Sequence, residues 1–414
     1  MNKLLGRKNA STFELTAIAF VAALMGVGQN GLLVSLPFLV EHSAFNLPTW
    51  SIVIAIGSFL FLPSAPFWGR YSDAHGPKNV VLQALLGMSI SFLLLLFFTA
   101  MSRSFIVDTN VSDWYWLAGL VIARVIYGCT VSGMVPASQH WAILLCGQQN
   151  RLQAITSVSI GLSAGRLIGP LIAIGALKIH VFAPLAGMIL FPMIALVVAL
   201  YLPTPLTDTS TRHSKGSSSP WLPQRQLWPY LLSGLLLCAV IALLQYSFSP
   251  LILSITDWSI AKVSDVIGIL LTISAAFTLA TQVLVIKKKK MSLHRMYQTG
   301  ALLLFIGLGL FLLPYIEFFA LAMAISAIGA ALLVPAYTTF ATQCDESRPG
   351  AVAGYIAMSH TLGYGLASLL AYLAMYSAHY PIFVCIGFSV LILLLSIRPS
   401  VQLSSPSASN KTVH

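Results

Sequence analysis

Apolar runs alternate with short polar breaks along almost the whole chain. Twelve of them approach the roughly 20 residues that a helix needs to cross a hydrocarbon layer. They are predicted at 13–36, 48–68, 79–101, 115–141, 153–176, 181–202, 227–252, 265–286, 297–314, 318–342, 350–374 and 381–397. Polar residues inside these runs follow helical spacing. In the fifth, Gly161, Gly165 and Gly169 recur every four residues, so they share one face and admit a second backbone at close range. Ser159, Ser163, Arg166 and Pro170 make a polar stripe on a neighbouring face. A seam beside such a stripe places this helix inside a bundle, at a cavity, because an arginine facing lipid is costly. Pro170 removes a backbone hydrogen bond there and permits a bend. The first run carries Gln29 and Asn30, the seventh Gln245 and Tyr246, the tenth Tyr337, and the eleventh Ser359 and His360. The segment 203–226, rich in Ser, Thr and Pro, reads as a solvated linker between halves at 1–202 and 227–398. Residues 399–414 read as a disordered polar tail.

Composition turns these runs into membrane spans. Of 414 residues, 57% are hydrophobic and 8% charged. Soluble domains carry about 25% charge, so the chain is predicted to be an all-α integral membrane protein of twelve spans. Lys and Arg set its orientation. With a cytoplasmic N-terminus, every loop Lys and Arg except Arg103, Lys178 and Lys262 falls inside. Both termini are therefore expected in the cytoplasm, as in a protein of the inner membrane. The net charge of +11 then reads as topology and contact with anionic lipid, not as nucleic-acid binding. The first run is too long for a signal-peptide core and is expected to remain as the first helix. Cys129, Cys146, Cys238, Cys344 and Cys385 make no metal-type pairs, so no disulfide and no metal site is expected.

Three stretches carry a resemblance. Gly69, Asp73, Gly76 and Lys78, in the break after the second span, match the cytoplasmic loop signature of the major facilitator superfamily. Ala74 and Pro77 stand where the family often has basic residues. Arg124 followed by Gly128 is similar to the family's fourth-helix signature. Gly165, Gly169 and Pro170 resemble its fifth-helix signature, typical of twelve-helix exporters such as drug:proton antiporters; Ala173 and Ile174 replace the final glycine pair. The resemblance implies two pseudo-symmetric six-helix bundles that rock about a site near the midplane. It implies that Gly69, Asp73, Gly76 and Lys78, with Gly165, Gly169 and Pro170, serve gating. Asp73 would meet the start of the eleventh helix near Gly350, where a helix N-terminus favours an anion.

The acids complete the picture. Glu14, Glu41, Asp73, Asp108, Asp113, Asp208, Asp257, Asp265, Glu317, Asp345 and Glu346 all fall in predicted loops or at span ends. Arg124 and Arg166 lie inside spans. A cavity with cations and no carboxylate suits an anion, which a guanidinium binds in bidentate fashion. The expected cargo is a small organic anion, such as a siderophore-like polycarboxylate or a metabolite, exported by alternating access. The expected contacts are Arg166, Arg124, Gln29, Asn30, Ser163, Gln245, Tyr246, Ser359, His360 and Tyr337. No cofactor is needed; drive comes from the membrane potential or from protons, with His360, His140 or Glu14 as carriers. Alternatives are a multidrug:proton antiporter for neutral or amphipathic compounds, and uptake of an acidic nutrient or siderophore. With no nucleophile motif or sizeable soluble domain, no enzyme is expected, and a monomer suffices.

Overall fold

The structure is a computed structural model that describes residues 12–105, 113–204, 222–286, 288 and 291–397. Most of the linker and the whole tail named above lie outside the described residues. The first half holds α1 (Thr12–Glu41), α2 (Leu47–Phe59), α3 (Phe61–His75), α4 (Pro77–Phe105), α5 (Asp113–Val131), α6 (Met134–Cys146), α7 (Arg151–Leu177) and α8 (Ala183–Tyr201). The second holds α9 (Trp228–Ile255), α10 (Ile260–Thr281), α11 (Leu293–Leu310), α12 (Glu317–Cys344), α13 (Pro349–Leu370) and α14 (Tyr380–Ile397).

Among the described residues, fourteen α-helices make twelve spans because two spans are broken by proline. The second divides at Leu60 into α2 and α3, where Pro63 has no N–H to give the Phe59 carbonyl. The fourth divides between Val131 and Met134, where Pro136 cannot bond back to Ser132. Among the described residues, eleven helical stretches are long and apolar enough to cross a membrane. The twelfth span is α11, whose polar first turns dilute its hydropathy, and it packs against α12 and α14.

Several predicted ends fall short, the first span running on to Glu41 and the fourth to Cys146, and the largest correction is at the end of the second. Gly69–Asn79 is not a loop. α3 runs on through Ser72 and Asp73 to His75, and only Gly76 turns the chain, at φ 91°, before Pro77 opens α4. Polar residues can extend a helix beyond its apolar run when each finds a partner, and a left-handed glycine followed by proline ends it sharply.

The buried apolar residues form two cores, one within α1–α8 and one within α9–α14. They do not merge. α13 packs along α3 and α6, and α7 meets α10 and α12. α2, the other part of the second span, packs instead on α5 within its own half. The halves are thus joined where Asp73 lies, along α3, α6 and α7.

Within the first half, α7 is fastened to α1 through its glycine face. A Cβ on Gly161 or Gly165 would run into the carbonyls of Ala19 and Ala23, and one on Gly169 would sit 2.8 Å from the Val27 Cα. Gly175, on the same helix, has open space around it. Gly165→Ala should therefore lower stability by about 1–3 kcal/mol through forced separation of the backbones, while Gly175→Ala should not destabilise. Thermal unfolding of the two variants in detergent checks the contrast.

Candidate functional site

The seam on α1 fixes which way α7 turns its polar stripe. Ser159 is buried and its hydroxyl donates to the Ile155 carbonyl of its own helix at 3.0 Å. Ser163 is half-buried, and Arg166 is exposed. The Asn30 amide donates to the Arg166 backbone carbonyl at 2.8 Å, tying α1 to α7 at that level. Gln29 is half-buried beside it in sequence. No carboxylate among the described residues forms an ion pair with the Arg166 guanidinium. α7, which carries it, packs against α10 and α12 of the second half.

That opposing wall is built by hydrogen bonds between second-half helices. The Tyr337 hydroxyl of α12 lies 2.6 Å from His360 Nε2. Gly234 of α9 makes room for the imidazole: a Cβ there would lie 3.1 Å from its Nε2. α13 lies close to Cys238 of α9, since a Cβ on Gly363 would stand 3.0 Å from the Cys238 Cβ, and the Tyr364 side chain remains 41% exposed. Ser359 is buried and donates to the Ile356 carbonyl at 2.8 Å. Gln245 and Tyr246 are exposed on α9. The geometry thus brings Arg166 and Asn30 together in the first half, and His360 and the fully buried Tyr337 together in the second. Tyr364 and Cys238 were not among the expected contacts. Tyr364 follows His360 by one helical turn, and that spacing could have found it.

Arg124 is elsewhere. It is 3% exposed, with its guanidinium carbon 4.3 Å from the centre of the Tyr127 ring. Nε has no hydrogen-bond partner. A Cβ on Gly57 of α2 would sit 3.0 Å from that nitrogen, and one on Gly128 would strike the Gly57 carbonyl. Arg124 and Gly128 therefore serve the packing of α5 on α2. The ring face, not Gln29 or Asn30, answers the buried cation.

The residues with the loop signature sit where the halves join. Asp73 accepts from Gly350 N at 2.8 Å and from Ala351 N at 2.7 Å, the first amides of α13. Gly69 lies directly on the Gly350 backbone. Behind Asp73, buried His140 has its Nδ1 2.7 Å from Ser72 Oγ and 3.5 Å from Asp73 Oδ1. Lys78 does not reach the second half. It donates to the Leu200 and Leu202 carbonyls at 2.8 and 2.7 Å, at the end of α8. Glu14 is buried in the first turn of α1.

Arg151 joins the halves as well. It is 1% exposed, with Nη1 on the Thr342 carbonyl and Nη2 3.5 Å from Glu346 Oε1. In the sequence it counted only as one more charge in a basic loop. Its signal is a cation at the first residue of a helix, where its own macrodipole opposes it.

Several curated relatives match over part of their length. Multidrug resistance protein MdtG of Proteus mirabilis is 31% identical over 173 residues, 40% of this chain and 38% of that protein. The staphyloferrin B transporter of Staphylococcus aureus is 25% identical over 183 residues, 44% of this chain and 39% of that protein. The chain spans less than two fifths of those two. Multidrug resistance protein 2 of Bacillus subtilis is 24% identical over 413 residues, 95% of each. Among solved structures, the human organic anion transporter MFSD10 superposes with a TM-score of 0.72 at 18% identity, over 93% of this chain and 98% of that one. Residues 18–343 match the Major Facilitator Superfamily. With two cores joined at one end, twelve spans and that match over most of its length, the chain belongs to the Major Facilitator Superfamily and is a multi-pass membrane transporter, not an enzyme.

Proposed function

We propose that the protein exports a small organic anion across the inner membrane, with both termini and the Asp73 end in the cytoplasm. The observation that carries this reading is the exposed Arg166, which has no carboxylate partner among the described residues and stands on a helix packed against α10 and α12 of the opposite half. A cation within a span must be answered by water, protein or cargo. Here cargo is the fitting answer, because Asn30 is engaged with the Arg166 backbone and leaves the guanidinium fork free. Histidine and tyrosine opposite supply further donors for carboxylate oxygens. The staphyloferrin B transporter among the relatives supports a polycarboxylate of siderophore type. The residues 1–202 and 227–398 would move as the two bodies, about a cleft that opens away from Asp73.

The names of the multidrug relatives favour a second reading, efflux of neutral or amphipathic drugs. Tyr364 and Tyr246, both exposed, would then carry more of the binding than Arg166.

Arg166→Gln should weaken binding of a tricarboxylate about ten- to hundredfold, the cost of losing hydrogen bonds to a charged group. Binding to purified protein in nanodiscs measures it, and unchanged affinity sinks the anion reading. Efflux of a cationic dye from cells carrying the same variant separates the second reading. An interior-negative potential should speed exit of a dianion from proteoliposomes, since each charge gains about 2.3 kcal/mol per 100 mV. Flux that does not respond to the potential would mean that compensating ions move with the cargo.

A further inference from the structure

α12 closes at Cys344 and α13 opens at Pro349, so the carbonyl end of one helix and the amide end of the next lie side by side in the second half. The first half meets each with the opposite charge. Asp73 takes the amides of Gly350 and Ala351, and Arg151 takes the Thr342 carbonyl. Thr342 belongs to the last four residues of α12, whose carbonyls have no donor partner within the helix. We propose that Arg151 is a gating residue: a second clasp, opposite in sign to Asp73, which must release before the halves can part at the Asp73 end.

Three features of the site carry the proposal. Arg151 opens α7, where its own helix end is electropositive and the helix field disfavours a cation. The complementary partner is α12, across the interface. The guanidinium is buried only while α12 covers it; once the halves part, water replaces the carbonyl. Glu346, by contrast, is 57% exposed at 3.5 Å, and such a pair contributes little. The clasp therefore resides in the contact with the helix end, not in the ion pair. The two clasps also reinforce each other. They hold the chain on either side of the short connection 345–348, so loss of either leaves the other holding a less constrained segment.

Hydrogen exchange of the full chain in nanodiscs tests this directly. Arg151→Gln should speed exchange of segments 342–354 and 65–75 about tenfold, as expected for loss of a hydrogen bond to a charged group. It should at the same time slow exchange at the far end, in segments 47–60 and 246–258, as the cleft closes there. Glu346→Gln should leave both ends as in the wild type. Arg151→Met keeps most of the buried stem and carries the same expectation if the glutamine variant does not fold. Unchanged exchange at both ends, or faster exchange at both, would overturn the proposal. The second result would mean that Arg151 only holds the packing.

Discussion

The Asp73 carboxylate on the first amides of α13 is the contact on which the rest of the structure depends. The two buried cores are separate clusters, so the angle between the halves is set at this junction, together with the packing of α13 on α3 and α6 and of α7 on α10 and α12. A carboxylate that accepts two amides at a helix start gains from both the hydrogen bonds and the helix field. It also demands close approach, which Gly69 against Gly350 and Gly354 against Ala65 supply by having no side chain. On the proposed reading, sealing one end this way leaves the other end of the interface to water, as alternating access requires.

Three arginines show three answers to one problem, a cation in surroundings of low polarity. Arg124 lies over the Tyr127 ring, inside one half, and nothing about it changes if the halves move. Arg151 is answered by a helix end in the other half, so its environment depends on how the halves are arranged. Arg166 has no anionic answer within the described chain, and on the reading proposed here its partner is carried in and out. Charge alone could not have sorted them. Burial and the identity of the nearest polar group do.

Much of the fold was legible because hydropathy runs report the membrane directly, and the glycine period of α7 named its seam. The helix breaks at Leu60 and at Ser132 were not, although Pro63 and Pro136 mark both; each half-helix is short, and the apolar run continues through the break. The extension of α3 to His75 was hidden because its polar residues look like a loop until their partners are seen. The same limit applies at the site. Arg166 stood out as a charge in an apolar run, whereas Tyr364 and Cys238 are ordinary span residues that matter only through what faces them. Lys78 carries a family signature, yet it is spent on the end of α8, a pairing between distant residues that no local pattern encodes.

Gate and cleft are connected by unbroken helices. α7 carries Arg151 at its start and Arg166 fifteen residues on, about 22 Å at 1.5 Å per residue. α13 carries Gly350 at the junction and His360 and Tyr364 about 15 and 21 Å along. The glycine seam binds α7 to α1, so it moves with the first half, while the packing of α13 on α9 holds it to the second. A small change of angle at the junction is therefore converted, over these lengths, into a change in the distance between the two walls. Cargo that draws Arg166 toward His360 and Tyr364 would pull in the direction that closes the open end, and that motion levers apart the clasps at the other. Coupling between binding and gating then follows from helix rigidity, without any relay of side chains between the two sites.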